Sequence, residues 1–120
     1  MNRTEEIELL EQLEQWNSKD EYSQCIQAIE AIPEQERGYL LTVKLSRAYS
    51  NLAVLGDHGE HGTDSEVDGN LIQHAIRLLE SVRTQGENDP YWNSRMGYSC
   101  LMAYRSAATA YEYAKCWLAP

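Results

Sequence analysis

The sequence predicts an all-α protein assembled from helical hairpins. Apolar residues recur every three or four positions over most of the 120 residues, which is the spacing of one helix face. No stretch alternates apolar and polar residues convincingly, so no strands are expected. Prolines and a glycine-rich segment divide the helical pattern into three antiparallel pairs, with approximate bounds 4–33, 38–90 and 91–120. We therefore expect six helices in one domain.

The first pair is bounded by a polar start and a proline. The first helix begins near Thr4, and the acidic residues that follow it suit the positive end of the helix dipole. Residues 17–20 form a turn. Pro33 closes the second helix, because the residue before a proline disfavours the helical conformation. The apolar stripes of the two helices are Ile7, Leu10, Leu13 and Trp16, then Tyr22, Cys25, Ile26 and Ile29.

The second pair carries an inserted segment between its helices. Its first helix covers about 39–52, and a glycine-rich loop at about 55–70 interrupts the helical pattern. Asn70 is the expected N-cap of the next helix, and Gly86 and Pro90 are its expected C-cap and stop. The apolar stripes are Leu41, Leu45, Ala48, Tyr49 and Leu52, then Leu71, Ala75, Leu78, Leu79 and Val82.

The last thirty residues are expected to form two helices folded against each other. A connection is placed at Tyr104 and Arg105, and Pro120 ends the second helix. Gly97 lies inside the first of these helices, where a glycine costs about 1 kcal/mol relative to alanine. The usual reason for such a glycine is the close approach of a neighbouring helix. The faces are Trp92, Met96, Gly97 and Cys100, then Thr109 or Ala110, Tyr113 and Cys116.

The composition limits the classes of function. The chain carries a net charge of −9, so it repels phosphate backbones and we expect no nucleic-acid partner. The acids are concentrated in residues 1–36 and 57–90, whereas residues 37–56 and 91–120 are net basic. No apolar run is long enough to span a membrane, and no signal peptide is visible. With an odd number of cysteines, all on core stripes, we expect a soluble cytoplasmic protein without a disulfide framework.

Three short patterns resemble the tetratricopeptide repeat, a helix–turn–helix unit with the motif W-x2-L-G-x2-Y followed by A-x3-F and P. The motif position that requires a small residue is occupied by one in two of the three units. In the first unit Leu13 and Trp16 stand at the corresponding positions, and Leu13 is bulky where a small residue is expected. The best matches are Leu45, Ser46 and Tyr49, then Met96, Gly97 and Cys100. The second helices supply Cys25-x3-Ile29, Ala75-x3-Leu79 and Thr109-x3-Tyr113. The residue pattern of the helices also resembles that of small bacterial proteins of this family.

The resemblance implies a short right-handed solenoid of three hairpins that binds a peptide or protein partner on its concave face. It places eight residues on that face: Glu14, Asn17, Arg47, Asn51, Tyr91, Arg95, Tyr98 and Met102. Arg47, Asn51 and Arg95 could hold a carboxylate or the backbone of a peptide. Tyr91 stands where the chaperone-binding members of the family have a lysine, so chaperone binding is not expected.

The inserted loop contains the cluster that most resembles a chemical site. His58 and His61 are weak metal ligand candidates beside several acids, but a glycine-rich loop lacks the rigid frame that zinc prefers. A calcium loop starting at Asp64 would need a carboxylate where Ala75 stands. We therefore expect no metal, no cofactor and no catalytic residues. A metal-dependent activity in this loop is a remote alternative.

The apolar end of the chain is a second candidate contact surface. Repeat arrays need polar terminal caps, and few charged residues lie in this segment. We expect homodimerisation, or docking to another protein, through residues 107–118. The residues expected to make the self-association contact are Ala107, Ala110, Tyr111, Ala114, Trp117 and Leu118. The alternative is that helix 1 or the insertion covers this surface.

Two functions follow from these observations. The first is a non-enzymatic interaction scaffold. The alternative is an immunity- or inhibitor-type protein whose acidic surface masks a basic toxin or enzyme.

Overall fold

Helices account for nearly all of the chain in the computed structural model, which describes residues 1–61 and 66–118 and side chains as far as residue 107. The described residues contain no strand, so the all-α prediction is confirmed. Helices α1 and α2 cover Arg3–Ser18 and Tyr22–Glu30, α3 covers Gly38–Leu55, and α4 covers Gly69–Ser81. The short α5 covers Arg83–Gly86, and α6 covers Pro90–Leu118.

The hairpin of α1 and α2 packs against α3 through the first core cluster. Asn2 caps α1, because its side chain accepts a hydrogen bond from the Glu5 amide at 2.8 Å. The predicted stripes supply the buried residues of this cluster, which are Leu13, Cys25, Ile29, Leu41, Leu45 and Ala48. Periodic apolar residues therefore identified this part of the core correctly.

A second cluster joins α3, α4 and α6. It contains Val43, Leu79 and Trp92, and the Trp92 indole N–H donates to the Leu79 carbonyl at 3.0 Å. Pro90 is the first residue of α6, where its missing amide hydrogen costs nothing, so it starts a helix. Gly86 has no positive φ, and a Cβ there would lie 2.2 Å from the Trp92 ring. Its role is therefore close packing.

The segment between α3 and α4 begins with an ordered 3₁₀ turn at Asp57–Gly59. The Asp57 carboxylate accepts a hydrogen bond from the Ser23 amide at 2.9 Å, in the first turn of α2. The His58 amide donates to the Asp20 carbonyl at 2.8 Å. This part of the insertion is therefore attached to the first hairpin.

The N-cap of α4 differs from the prediction. Asp68 is the cap, and its side chain accepts hydrogen bonds from the Asn70 amide at 3.0 Å and the Leu71 amide at 3.1 Å. Asn70 is already inside the helix. Either side chain could serve as a cap, and the backbone of residue 68 is the extended one that a cap requires.

The prediction of a third hairpin at 91–120 is wrong, because α6 is one helix of 29 residues, about 43 Å long. Residues 98–118 contain neither glycine nor proline, and Tyr104 and Arg105 are ordinary helix residues. Gly97 is exposed, and a Cβ there would meet no atom within 4 Å. The expected close approach at Gly97 is therefore absent from the described part of the chain.

Long helices that follow one another in the chain also pack against one another. In addition, α3 contacts α1 and α6. Glu14 meets Lys44 and Asn17 meets Asn51, so α1 and α3 run parallel. Val43 meets Trp92 and Ala53 packs near Met102, so α3 and α6 also run parallel. None of the helices in the described part combines the length and hydropathy that a membrane span requires.

Candidate partner-binding face

Helices α1, α3 and α6 bring seven of the eight predicted concave-face residues into two sets of contacts that Ser50 joins. The Ser50 hydroxyl donates to the Arg47 carbonyl at 3.0 Å and accepts a hydrogen bond from Arg95. Glu14 on α1 lies 3.0 Å from the Lys44 ammonium and 2.9 Å from the Arg47 guanidinium, both on α3. Burial acts to raise the pKa of Glu14, but the hydrogen bond from Lys44 and the charge of Arg47 outweigh it. The pKa of this carboxyl therefore lies below its ordinary value, and Glu14 stays ionised.

Asn51 connects α1 to α6. Its amide nitrogen donates to Asn17 Oδ1 at 3.2 Å, and its Oδ1 accepts a hydrogen bond from Arg95 at 3.1 Å. Arg95 also donates to the hydroxyl of Ser50. One side chain of α3 thus bridges the two flanking helices.

Aromatic rings hold two of the cations. The Arg95 guanidinium lies 4.7 Å from the centre of the Tyr98 ring, and the Lys44 ammonium lies 4.9 Å from the centre of the Tyr91 ring. Cation–π contacts of this length contribute about 0.5–2 kcal/mol, depending on exposure. We call the set of connected residues the polar face: Glu14, Asn17, Lys44, Arg47, Asn51, Tyr91, Arg95 and Tyr98.

The polar face is basic although the chain is acidic. It holds Lys44, Arg47 and Arg95 against the single carboxylate of Glu14. Within the described residues, no carboxylate pairs with Arg95, and burial lowers the pKa of its guanidinium. The Nε atoms of Arg47 and Arg95 are buried without a hydrogen-bond partner, and Arg47 is only 8% exposed.

Met102 behaves differently from the other predicted face residues. It is half-buried and packs against the third core cluster, which consists of Ala53, Val67 and Ile72. Lys44 belongs to the polar face but was absent from the prediction. It lies three residues before Arg47 and seven before Asn51, which is the spacing of one helix face, so the sequence did contain the signal.

The inserted loop does not assemble a metal site in its described part. His58 is exposed, His61 is half-buried, and Asp57 is committed to Ser23. No group of three potential ligands converges among the residues that the structure describes. Asp64, where the calcium-loop pattern would start, lies outside those residues.

Two of the cysteines occupy different environments. Cys25 is buried, its thiol donates to the Leu13 carbonyl at 3.6 Å, and burial raises its pKa to about 11. Cys100 is exposed, so the prediction that it lies on a core stripe is wrong.

Of the predicted self-association residues, Ala107 is exposed. The side chains of Ala110, Tyr111, Ala114, Trp117 and Leu118 lie outside the described residues.

Comparisons with known proteins do not place the chain in a family. No family model, no curated protein and no solved structure matches it. The resemblance to tetratricopeptide repeats therefore stays a prediction, and the functional argument depends on the geometry of the polar face.

Proposed function

We propose that this chain is a non-enzymatic interaction module that binds a peptide or protein segment across the polar face. The observation that carries this proposal is Arg95, a largely buried cation held by Ser50, Asn51 and Tyr98 without a carboxylate partner among the described residues. Three neutral contacts fix its position. Its charge remains available to a ligand.

The same contacts support a tetratricopeptide-like solenoid as the architecture of the module. In such a solenoid the first helices of successive hairpins lie side by side and parallel, as α1, α3 and α6 do. In this proposal α6 corresponds to the first helix of the third hairpin. The residues that would form the second helix of that hairpin continue α6 instead. The ligand would lie across three parallel helices.

The charge of the polar face favours an acidic segment as the ligand. A carboxylate would pair with the guanidinium of Arg95, whereas a basic segment would be repelled by three cations. Asn17 and Asn51 offer amide groups to a peptide backbone. Tyr91 and Tyr98 offer aromatic surface, and both are at least partly exposed.

An inhibitor that masks a basic protein is a second candidate function. Glu5, Glu8 and Glu11 are exposed on α1, and no ion pair involves them within the described part of the chain. A basic partner would bind this surface of α1 and leave the polar face free. The two candidates therefore use different surfaces.

Peptide-display selection on the purified chain tests the first proposal. We expect the selected peptides to contain Asp or Glu, and we expect Arg95→Gln to weaken their binding by about tenfold or more in fluorescence anisotropy, since a hydrogen bond to a charged group contributes about 1.5–3 kcal/mol. Arg77→Gln is the matched control, because it removes the same charge from an exposed position on α4. Equal affinities for the two variants would contradict the proposal.

A charge reversal on α1 distinguishes the second candidate. If the chain masks a basic protein, replacing Glu5, Glu8 and Glu11 with Lys abolishes capture of that protein and Arg95→Gln does not. The opposite result supports binding on the polar face. The affinity of each complex is also measured at several salt concentrations. An affinity that falls as salt is added shows that charge interactions supply much of the binding free energy.

A further inference from the structure

The outer side of α6 exposes a stripe of residues that no other helix of the described chain covers. Leu101 and Tyr104 are 59% and 73% exposed, the largest values among the exposed large hydrophobic residues of the described chain. Gly97 and Cys100 are exposed on the same side. These positions follow the i, i+3, i+4, i+7 spacing of one helix face. We call Gly97, Cys100, Leu101 and Tyr104 the outer stripe.

Gly97 has no role in the packing of the described chain. A glycine inside a helix costs about 1 kcal/mol relative to alanine. Its φ is not positive, so no turn requires it, and a Cβ at this position would meet no atom within 4 Å. The missing side chain leaves room for a helix from outside the chain to approach the backbone of α6.

The described contacts of α6 with the other helices end near Ser106. Gly69, the first residue of α4, lies against Ser106, and Ala53 near the end of α3 packs close to Met102 and Ala103. Residues 107–118 continue for about 18 Å past these contacts. We call residues 107–118 the overhang.

We propose that two copies of this chain pair through antiparallel α6 helices, so that their outer stripes meet and the overhang of each copy runs along the first turns of α6 in the other. A two-fold axis between Leu101 and Tyr104 sets Leu101 against Tyr104 of the partner subunit. It also places position 108, an alanine, opposite Gly97 of the partner subunit. The same surface is used by both copies, so the interface is isologous: each outer stripe packs on the other, and each overhang packs on the N-terminal half of the partner subunit's α6.

The charge distribution favours a second copy as the occupant. The chain carries a net charge of −9, so most pairs of its surfaces repel each other. Residues 91–111 contain neither Asp nor Glu, and the outer stripe itself carries no charge. When two copies meet at this surface, residues 91–111 of one copy therefore place no carboxylate opposite residues 91–111 of the other. A parallel pair would set overhang against overhang, so that neither would pack on the supported part of the partner subunit's α6.

Analytical ultracentrifugation of the full chain over a range of concentrations tests the proposal. We expect the mass of two chains for the wild type, and the mass of one chain for Leu101→Glu and for Tyr104→Glu with unchanged helical circular dichroism. Leu40→Glu is the matched control, since Leu40 is a similarly large residue, 41% exposed, on α3, and this variant should remain a dimer. A monomeric wild type, or a dimer that survives both α6 substitutions, would overturn the proposal.

Cysteine cross-linking tests the antiparallel direction. In a background with Cys100→Ser and Cys116→Ser, the variants Leu101→Cys and Tyr104→Cys are mixed and oxidised. The antiparallel pair predicts that the mixture forms more disulfide-linked dimer than either variant alone. Equal or greater yields from the separate variants would contradict it.

Discussion

The indole ring of Trp92 lies against Gly86 so closely that a Cβ on residue 86 would be 2.2 Å from the ring. Trp92 is 2% exposed and donates a hydrogen bond to the Leu79 carbonyl. The ring is therefore held from two sides, by the end of α4 and by α5. This contact fixes the angle at which α6 leaves the body of the protein, and with it the position of Arg95 one turn further along.

Gly86→Ala should destabilise the protein, because the new Cβ would overlap the Trp92 ring, which is 2% exposed. Overpacking of this kind costs about 1–3 kcal/mol in the free energy of unfolding. Urea denaturation monitored by circular dichroism measures the change. An alanine variant as stable as the wild type would show that the ring and the short α5 are more mobile than the structure indicates.

Gly97→Ala should have the opposite sign. The added methyl group meets no atom of the described chain, and alanine favours the helix by about 1 kcal/mol over glycine. The measurement is the same urea titration at the lowest practical protein concentration, where the stability of the single chain is observed. A loss of stability there would mean that residue 97 packs against something within its own chain.

Asp68→Ala should cost about 1 kcal/mol, because it removes the acceptor of two amide hydrogen bonds at the start of α4. Asn70→Ala should cost much less, since only the Asn70 backbone takes part in the cap. Thermal unfolding of both variants gives the comparison. The reverse order would restore Asn70 as the cap that the sequence suggested.

The Asp57 carboxylate should make stability depend on pH in the acid range. Burial acts to raise the pKa of Asp57, but the hydrogen bonds from the Ser23 hydroxyl and amide outweigh it, so the folded pKa lies below the ordinary value. Stability from this group is therefore complete above the unfolded pKa, about 3.9, and is lost as the pH falls through the lower folded pKa. The free energy of unfolding of Asp57→Asn should be lower than that of the wild type at pH 6. The difference between the two proteins should become smaller as the pH is lowered toward about 3.

The chain's own apolar periodicity was sufficient to predict the first four long helices and most of their core. Leu13, Ile29, Leu45 and Leu79 lie on predicted stripes and are fully buried. Such stripes carry local information, because a helix repeats its face every three to four residues whatever it packs against.

The main errors concern the last thirty residues. The prediction of a break at Tyr104 and Arg105 is wrong because residues 98–118 contain no helix breaker, so one helix continues through them. The prediction puts a close helix contact at Gly97, whereas Gly97 is exposed and Ser99 is a small residue of this helix that is 0% exposed. Two residues further along the chain is 200° around a helix, which exchanges an exposed position for a buried one.

The candidate site was predictable in part. The resemblance placed Glu14, Asn17, Asn51 and Arg95 on one face, and the structure connects them through α3. The link between Asp57 and Ser23 had no signal in the sequence, because hydrogen bonds between residues 34 positions apart leave no periodic trace.

That link has a consequence for how the chain can be divided. Helix α2 has no capping side chain of its own at its start, and Asp57 from beyond α3 accepts the Ser23 amide. A fragment that contains only the first hairpin would lose this acceptor, so α2 would fray from its first turn. The hairpins of this protein are therefore not interchangeable modules: the first is completed only after the chain has passed through the second's leading helix.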